Sequence, residues 1–264
     1  MILYLTATGN SLYVAKALAP AAGGVLASIP QEMRRHPADR VYSDEAIGIV
    51  CPIFGHELPT LVREFIRTST FETDYLFVVG TYGCNHGDFP ERAQAVFAEA
   101  GRSADYVNTI IMVDNGLPAF DIEEELRIDP EKHVDEHIAL LAEDVRLRRA
   151  YVQPTTEEDR QHHREYMKFD DRLELLAEGE LLRVTADCVA CGICMRVCPT
   201  GNIRVSGVAE HGFTRCIGCL ACIHACPPKA TKFVELVEKN PNAHYRNPHI
   251  ELAEIIAAND QSRS

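Results

Sequence analysis

The chain carries the stretch CVACGICMRVCP at residues 188–199, and the spacing of its cysteines predicts the fold of this part of the chain. Spacers of two, two and three residues separate its four cysteines, and a proline follows the last one. The same pattern returns as CIGCLACIHACP at residues 216–227, so each cysteine of the first run has an equivalent in the second. An internal repeat of this kind predicts a small module with pseudo-two-fold symmetry, to which each run contributes one half.

The spacing of the cysteines predicts iron–sulfur ligation. Two-residue spacers let three thiolates of one run converge on one iron–sulfur cube, while the fourth cysteine of each run binds the other cluster in two-cluster ferredoxins. The predicted ligands of the first cluster are Cys188, Cys191, Cys194 and Cys226. Those of the second cluster are Cys216, Cys219, Cys222 and Cys198. Pro199 and Pro227 turn the chain after each crossing ligand.

Zinc is the alternative metal for paired cysteines. A tetrahedral zinc site takes four thiolates from two pairs and has no use for a third evenly spaced cysteine followed by Cys-Pro. The motif therefore favours iron–sulfur clusters over zinc. Eight of the ten cysteines lie between residues 188 and 226, and this clustering indicates metal ligation rather than disulfide cross-linking.

Composition and charge limit the class of protein. The 264 residues carry 26 basic and 39 acidic side chains, a net charge of −13, which argues against nucleic-acid binding. Residues 187–232 are the exception, with five basic and two acidic side chains. These basic residues either offset anionic clusters, meet an acidic partner or are ordinary surface charges. No apolar run approaches the roughly 18 residues of a transmembrane helix, and the N-terminus lacks a secretory signal, so we expect a cytoplasmic protein without membrane insertion.

Residues 1–150 alternate short apolar runs with helical stretches. The predicted strands are Ile2–Thr6, Val25–Ser28, Ala46–Cys51, Tyr75–Gly80 and Val107–Val113. The predicted helices are Ser11–Leu18, Pro59–Thr68, Asp88–Ala100 and Lys132–Arg149. This alternation predicts an α/β domain with a doubly wound, mainly parallel sheet and helices on both faces. Ligands of such sheets bind in the crevice at the carboxyl ends of the strands.

The first predicted strand leads into the loop TATGNS at residues 6–11, which opens a helix. A hydroxyl-rich turn with glycine at a helix N-terminus supplies N–H donors and a favourable dipole for one phosphate group. The candidate phosphate-binding residues are Thr6, Thr8, Gly9, Asn10 and Ser11. The loop matches neither GxGxxG nor the GxxxxGK pattern, which disfavours dinucleotides and nucleoside triphosphates. A plain helix N-cap is the other interpretation.

Two more loops lie where a flat ring would be held. CPIFGH follows the third predicted strand at residues 51–56, and GTYGCNHG follows the fourth at residues 80–87. Each places an aromatic residue and glycine at a strand end, an arrangement that suits a sandwiched ring. Phe54 and Tyr82 are the stacking candidates, and packing on their own domain is the alternative. The candidate ring-binding residues are Pro52, Phe54, Gly55, Thr81, Tyr82 and Gly83.

Four other side chains of these loops each allow two interpretations. His56 and His86 either hydrogen-bond the ring or are ordinary loop residues. Cys51 and Cys84 lie at the expected ring edge, where a redox-active thiol is conceivable. The lack of a CxxC pair between them favours small buried hydrophobes instead.

The patterns divide the chain into four segments. Residues 1–150 form the predicted α/β domain, and residues 187–232 form the predicted two-cluster domain. Residues 151–186 are interpreted as a polar connector with a helical patch at 169–177, and its His162 and His163 are expected to be solvated. Residues 233–264 form a tail that we expect to pack on the domains.

The quoted residues resemble two known families. The loop Thr6–Ser11 is similar to the Thr-x-Thr-Gly-Asn-Ser/Thr loop of flavodoxin, which holds the phosphate of FMN. Residues 187–232 resemble a bacterial two-[4Fe–4S] ferredoxin, a small α+β fold. With the tail segment YRNP at residues 245–248, nearly the whole chain resembles the EFR-type fusion flavoproteins of anaerobic bacteria and archaea. Flavodoxins usually present Trp or Tyr to the ring; this chain has no Trp, and Phe54 takes that position.

The resemblance implies FMN and two [4Fe–4S] clusters in one chain. A flavin exchanges one or two electrons and each cluster one, so it implies an electron-transfer protein that relays single electrons between clusters and FMN. The expected partner is a ferredoxin-like donor or acceptor. The alternative is a flavin-dependent reductase that reduces a small substrate at FMN with electrons delivered through the clusters. The substrate would bind near residues 116–120 and the Tyr82 loop, where Asp114 and Asn115 are undistinctive candidates for an acid or base, so the catalytic residues stay unassigned. A homo-oligomer is compatible with either function.

Overall fold

The computed structural model describes residues 1–117, 119–169, 181–234 and 236–262. Its strands are β1 (Ile2–Tyr4), β2 (Leu26–Ser28), β3 (Val41–Ser43), β4 (Ala46–Pro52), β5 (Thr70–Glu72), β6 (Tyr75–Tyr82), β7 (Tyr106–Ile111), β8 (Tyr151–Val152), β9 (Leu182–Val184), β10 (Ile203–Ser206), β11 (Val208–His211) and β12 (Thr231–Phe233).

The helices of the same residues alternate with these strands in the first half of the chain. They are α1 (Asn10–Leu18), α2 (Ile29–Glu32), α3 (Thr60–Arg67), α4 (Phe89–Glu99), α5 (Ile122–Ile128), α6 (Val134–Arg146), α7 (Glu157–Tyr166), α8 (Ile193–Arg196), α9 (Ala221–His224) and α10 (Leu252–Asn259).

The largest sheet has six parallel strands in the order β2-β1-β4-β6-β7-β8. The strands β3 and β5 form a separate parallel pair. Without that pair and the edge strand β8, the order is 2-1-3-4-5, the doubly wound order of flavodoxin-like folds. The central strands β4 and β6 are buried along almost their whole length, because both faces of a parallel sheet are covered. The predicted fold class is therefore confirmed.

Helices bury apolar side chains against both faces of this sheet. On one face α3 and α4 contribute Phe65 and Phe97 to the core. On the other face α1 and α6 contribute Leu18 and Val145. This sheet and its helices are called the α/β unit below. Its loops at the carboxyl ends of β1, β4 and β6 lie at one edge, as the sequence predicts.

The second unit, called the cluster unit, spans residues 181–234 and contains the two cysteine runs. Its strands form two antiparallel pairs, β9 with β12 and β10 with β11. Since β9 precedes the first run and β12 follows the second, the pairing of these strands brings the start of the first run close to the end of the second. The short helices α8 and α9 occupy equivalent positions in the repeat, because each begins directly before the third cysteine of its run.

All nine predicted strands and helices of residues 1–150 are confirmed, with ends that differ by at most three residues. The pattern missed α2, α5, α7 and the short strands β3, β5 and β8. Those strands are two or three residues long, too short for a periodic signal, and α7 is rich in charged and polar residues. The helical patch predicted at 169–177 lies, beyond Phe169, outside the described residues. The division into these four segments stays a prediction.

No helix among the described residues combines the length and the apolar character that a membrane span requires. The cytoplasmic location stays a prediction.

Candidate cofactor-binding sites

The structure brings cysteines of the two runs together in two groups of four. The first quartet, Cys188, Cys191, Cys194 and Cys226, lines one cavity. Burial raises the pKa of Cys194 to about 11, and the charges of the other three thiols add to the rise. Three members of this quartet come from the first run and one from the second.

The second quartet consists of Cys198, Cys216, Cys219 and Cys222. Burial raises the pKa of Cys222 well above its usual value, and Cys219, Cys198 and Cys216 raise it further through their charges. The pKa of Cys219 is also raised, chiefly by burial and then by Cys198 and Cys216. Thiolates in such a buried place require compensating positive charge, which bound iron supplies.

Backbone N–H groups point at cysteine sulfurs in both quartets. The N–H of Asn202 donates to Cys198 Sγ (3.3 Å), and the N–H of Ala230 donates to Cys226 Sγ (3.2 Å). The two hydrogen bonds are equivalent in the repeat, because each donor lies at the same distance along the chain from its crossing cysteine. Hydrogen bonds to the sulfurs are among the features that set the potential of an iron–sulfur cluster.

The two runs share an unusual backbone conformation. Left-handed φ values recur at three pairs of equivalent positions, within the runs and just after them. The pairs are Ala190 and Gly218, Gly192 and Leu220, and Gly201 and Lys229. Positive φ is uncommon for residues other than glycine, so its recurrence at alanine, leucine and lysine indicates that the tertiary structure enforces it. The two runs therefore share their backbone conformation as well as their sequence pattern.

These features fit a four-iron cube in each quartet. The first quartet lines one cavity, the cysteines of the second quartet raise one another's pKa, and N–H groups are directed at the sulfurs that cross between the runs. In a cube each thiolate binds a different iron atom, so the ligands stand farther apart than those of one ion. Among the described residues, no three His, Cys, Asp or Glu side chains are placed to hold a single metal ion.

The loop after β1 has the geometry of a helix N-terminus. Gly9 precedes α1 with a φ of 108°, and its N–H donates to Thr6 Oγ1 (3.2 Å). The hydroxyls of Ser11 and Thr81 share a hydrogen bond of 2.8 Å. This hydrogen bond joins Ser11, a candidate phosphate-binding residue, to Thr81 of β6, a candidate ring-binding residue. Thr6, Gly9, Ser11 and Thr81 are all buried.

The C-terminal tail lies directly on this loop. Tyr245 Oη and Asn247 Nδ2 both donate to Asn10 Oδ1, at 2.6 and 3.1 Å. The backbone N–H of Asn247 donates to the carbonyl of Thr8 (2.8 Å). A Cβ at Gly9 would come within 2.9 Å of Asn247 Cβ, so glycine is required here both for φ and for space. Nothing in the sequence beyond the YRNP resemblance points to this contact.

Asn259 joins the two units through a single buried amide. Its Nδ2 donates to the carbonyl of Thr6 in the phosphate loop (2.9 Å) and to the carbonyl of Val197 (3.1 Å). Val197 directly precedes Cys198 of the second quartet. Asn259 is 0% exposed, so both carbonyls depend on this side chain rather than on water.

His224 makes a second bridge between the units. Its Nε2 donates to the carbonyl of Asn115 in the α/β unit (2.9 Å), and its Nδ1 accepts from the backbone N–H of Tyr245 (3.1 Å). Burial lowers the pKa of His224 to about 4, which keeps the ring neutral with one donor and one acceptor nitrogen. Asn115 also donates from Nδ2 to Thr8 Oγ1 (3.0 Å).

The loop after β4 is covered by helix α7. Pro52 ends β4, and Phe54 forms an isolated bridge within the turn that follows. Tyr166 of α7 lies on Gly55 so closely that a Cβ there would be 2.4 Å from its ring. The rings of His56 and Tyr166 meet edge to face at 5.3 Å. Tyr166 is therefore an aromatic residue at the predicted ring edge that the polar composition of the connector concealed.

The loop after β6 completes the same edge. Tyr82 meets the ring of His86 edge to face at 5.3 Å. Gly83 lies against Asp114, whose carboxyl atoms a Cβ would approach to 2.3 Å. Burial raises the pKa of Asp114, which accepts a hydrogen bond from Gly116 N–H (2.8 Å). Gly116 belongs to the substrate region of the alternative function; its Pro118 lies outside the described residues.

Several buried polar atoms near these loops have no hydrogen-bond partner among the described residues. They are Thr155 Oγ1, His162 Nδ1 and His163 Nδ1. Because unpaired buried polar atoms are costly, this edge fits a ligand rich in carbonyl and ring-nitrogen groups, as a flavin ring is. His163 is buried, with Asp88 Oδ1 3.6 Å from its Nδ1, so the expectation of a solvated His163 is wrong.

The two outlying cysteines differ in their surroundings. Cys51 is fully buried in the core of the α/β unit, and burial alone raises the pKa of its thiol. Its interpretation as a small buried hydrophobe is confirmed. Cys84 is exposed in the loop after β6, so the same interpretation is wrong for this residue.

Comparison with known proteins agrees with the cluster unit. Residues 140–238 match the family model of a 4Fe-4S dicluster domain. The ferredoxin-like proteins in the nif region of Trichormus variabilis and Trichormus azollae are each 35% identical over 46 residues, or 17% of this chain. The chain spans only 40% of the length of these two relatives.

Two solved structures resemble this chain more distantly. A Bacteroides uniformis protein described as a flavoprotein aligns with 48% of this chain and 94% of its own, at 14% identity and a TM-score of 0.34. The Trp repressor binding protein of Bacillus subtilis aligns with 55% of this chain and 97% of its own, at 10% identity and a TM-score of 0.32. The strand order, rather than these similarities, defines the fold.

The molecule therefore combines two classes of unit. A flavodoxin-like α/β fold occupies the first half of the chain, and a 4Fe-4S dicluster domain lies in the C-terminal part. The second unit supports iron–sulfur clusters as cofactors.

Proposed function

We propose that this chain is an electron-transfer iron–sulfur flavoprotein that relays single electrons between two [4Fe–4S] clusters and FMN. One observation carries the proposal. Cys219 of the second quartet and Ala7 of the phosphate loop pack against the same apolar cluster, which includes Leu12 of α1. A predicted cluster ligand and a predicted flavin loop therefore share one interface inside a single chain.

The proposed cofactor ligands are the residues that the sequence predicts. Each quartet would hold one [4Fe–4S] cluster through its four thiolates. The loop residues Thr6, Thr8, Gly9, Asn10 and Ser11 would hold the FMN phosphate. The loops after β4 and β6, with Pro52, Phe54, Gly55, Thr81, Tyr82 and Gly83, would hold the ring. When bound, the clusters exchange one electron each and the flavin one or two.

The contribution of the chain is placement and exclusion of water. Asn259 ties the phosphate loop to the backbone that carries Cys198, so the two sites keep a constant separation. Buried thiols and N–H donors at the second quartet supply the surroundings that tune a cluster. Tyr166 of helix α7 covers Gly55 in the loop after β4 and restricts access of solvent to that loop. We also propose that residues 1–150 and 187–232 form separate domains and that the chain is a member of the EFR-type family. We further propose a homo-oligomeric state, which size-exclusion chromatography tests.

The second candidate function is reduction of a small substrate at the flavin. It is favoured by Asp114, a buried carboxyl with a raised pKa that lies against Gly83 of the ring loop. A buried carboxyl whose pKa is raised is a candidate general acid. Steady-state turnover of small acceptors that falls in Asp114→Asn would support the reductase; no turnover with any acceptor supports the carrier.

The first experiment measures cofactors in anaerobically purified protein. We expect about eight iron, about eight sulfide and one FMN per chain, with coupled cluster signals in EPR after dithionite reduction. Full clusters without flavin would overturn the flavin part of the proposal, and zinc in place of iron would overturn all of it.

A paired substitution tests the flavin loop separately. Gly9→Ala places a Cβ on Asn247 at a φ of 108°, so it should weaken FMN binding, measured by quenching of flavin fluorescence, while iron content stays near that of the wild type. Gly101→Ala is the matched control, because Gly101 also has positive φ but its Cβ meets nothing within 4 Å. Equal FMN affinity in the two variants would remove the phosphate role of the loop.

A further inference from the structure

Three oxygen atoms of the loop at residues 6–11 would repel a bound phosphate if they faced it. They are the backbone carbonyls of Thr6 and Thr8 and the side-chain Oδ1 of Asn10. A phosphate monoester carries about two negative charges and offers only acceptor oxygens near neutral pH. A site for this group must therefore present N–H and O–H donors and engage its own acceptors elsewhere.

Donors of the C-terminal tail engage the two backbone carbonyls. Asn259 Nδ2 donates to the carbonyl of Thr6 (2.9 Å), and the backbone N–H of Asn247 donates to that of Thr8 (2.8 Å). Asn247 is 3% exposed and Asn259 is 0% exposed, so both hydrogen bonds are shielded from water. The tail therefore satisfies both carbonyls with donors of its own.

The side chain of Asn10 is held in the same way. Its Oδ1 accepts from Tyr245 Oη (2.6 Å) and from Asn247 Nδ2 (3.1 Å), which uses both lone pairs of this oxygen. Its Nδ2 donates to the carbonyl of Val113 after β7 (3.2 Å), which fixes the orientation of the amide. The tail thus holds the side chain of Asn10 in place, and the group that Asn10 offers to a phosphate is the backbone N–H that begins α1.

Two hydroxyls of the loop are oriented as donors. Thr6 Oγ1 accepts from the N–H of Gly9 (3.2 Å), and Thr8 Oγ1 accepts from Asn115 Nδ2 (3.0 Å). A hydroxyl that accepts from an N–H group keeps its own proton for donation to another acceptor. Thr6 and Thr8 are buried, and buried polar groups are normally hydrogen-bonded, so these protons favour an acceptor that a ligand brings. The loop thus combines paired acceptors with available donors, the combination that a phosphate requires.

The tail is itself fixed to the cluster unit. The backbone N–H of Tyr245 donates to Nδ1 of His224 in the second cysteine run (3.1 Å). Asn259 Nδ2 also donates to the carbonyl of Val197 in the first run (3.1 Å). The tail donors therefore keep their positions through contacts outside the α/β unit, and such preorganisation reduces the cost of ordering the loop when a ligand binds.

We propose that Tyr245 and Asn247 are positioning residues of the phosphate site and select flavins that carry a phosphate monoester. The inference rests on the proposed FMN binding and adds to it two residues from outside the α/β unit. They act through Asn10 and the carbonyl of Thr8 rather than through the ring loops after β4 and β6. FMN and riboflavin share the same ring and differ in the phosphate, so their affinities separate an effect on the phosphate from an effect on the ring.

The test is anaerobic titration of FMN and of riboflavin, each followed by flavin fluorescence, into full-length protein that keeps its clusters and has been freed of flavin. Tyr245→Phe removes one hydrogen bond to Asn10, and we expect it to raise the Kd for FMN about fivefold and leave the Kd for riboflavin unchanged. Tyr42→Phe is the matched control, because Tyr42 is also buried and its Oη donates one hydrogen bond, to Glu32 (2.8 Å). This control should bind both flavins like the wild type.

A second variant and a double substitution sharpen the test. Asn247→Asp keeps the shape of the side chain, loses the Nδ2 donor to Asn10 and adds a negative charge near the loop. It should raise the Kd for FMN by at least about tenfold and leave that for riboflavin unchanged. In an Asn10→Ala background, Tyr245→Phe should cause no further rise, because the two side chains act as one unit. A further rise of equal size would exclude action through Asn10 and overturn the proposal.

Each remaining outcome also decides the proposal. An unchanged Kd for FMN in Tyr245→Phe overturns it, and so does an equal rise for FMN and riboflavin, which shows a packing role. An equal loss of FMN affinity in Tyr42→Phe overturns it as well. If Tyr245→Phe loses its clusters, Asn247→Asp decides: a ratio of the two Kd values like that of the wild type overturns the proposal. A wild type with full clusters that binds neither flavin is a failure of the proposed function instead.

Discussion

The two cysteine runs have the same spacing and the same backbone, yet they stand in different surroundings. In the first quartet Cys191 is exposed and Val189 reaches solvent; in the second, Cys219 and Ile217 pack toward the α/β unit. The duplicated sequence thus provides two sets of four cysteines with the same spacing. The two sets differ in solvent exposure because their neighbours in the fold differ.

The two runs also differ at the residue that ends the short helix of each run. His224 in the second run and its equivalent Arg196 in the first occupy the last position of α9 and α8. His224 is buried and bridges Asn115 and Tyr245, whereas Arg196 is partly exposed. His224 therefore gives the second run a bridge to the α/β unit, in addition to the bridge that Val197 of the first run makes through Asn259.

The largest expected effect comes from exchanging one crossing ligand at a time. Cys198→Ser should remove the cluster of the second quartet, and Cys226→Ser that of the first, each lowering iron from about eight to about four per chain. Because the second quartet lies at the junction, Cys198→Ser should also lower Tm more than Cys226→Ser. Iron analysis, EPR and thermal unfolding under anaerobic conditions check both statements. Identical behaviour of the two variants would contradict the asymmetry.

The junction itself is tested at Asn259. Asn259→Leu leaves the carbonyls of Thr6 and Val197 buried without donors, which should cost about 2–4 kcal/mol of unfolding free energy. Asn242→Leu is the control, because Asn242 is exposed in the same tail and should change stability by less than about 0.5 kcal/mol. Urea unfolding of the holoproteins gives both values, and equal costs for the two variants would refute the bridge.

Removal of iron should distinguish the quartets by rate. With a chelator and a mild oxidant, we expect two phases, in which the exposed first quartet loses iron roughly tenfold faster than the second, since reagent reaches it without local opening. EPR of samples taken during the reaction identifies which cluster is lost first. The Cys198→Ser variant should show only the fast phase. A single phase in the wild type would mean that the difference in burial has no kinetic consequence.

The smallest effect is expected at the paired apolar positions. Ile217→Ala should destabilise the protein by about 1 kcal/mol, because Ile217 is partly buried against the α/β core. Val189→Ala should change stability by no more than about 0.5 kcal/mol, because its side chain is mostly in solvent. Chemical unfolding of the two variants provides the comparison, and equal costs would show that the two faces are packed alike.

Much of the cofactor chemistry could be predicted from the sequence, because it depends on local spacing. The two- and three-residue spacers of the cysteine runs require no knowledge of distant residues, and the return of the same spacing already indicates the repeat. The alternation of apolar runs likewise predicted the parallel sheet and the loops at its carboxyl edge. These features are short-range, and short-range patterns are what a single sequence displays.

The remainder depended on contacts between distant residues. Asn259 reaches Thr6 across 253 positions, and Tyr245 reaches Asn10 across 235. The connector residues His163 and Tyr166 lie in a polar stretch, yet the fold turns them inward onto His56 and Gly55. Neither polarity nor spacing marks such residues, because their burial is set by what packs over them.

The sequence by itself determined the two cysteine sets, the loop that opens α1 and the order of sheet and cluster unit. Only the tertiary structure decided which copy of the repeat faces inward, since Val189 and Ile217 are nearly alike as residues and differ only in their neighbours. The physical reason is that a covalent repeat is symmetric, whereas packing a symmetric module on one side of a single α/β unit leaves one face buried and one face in solvent.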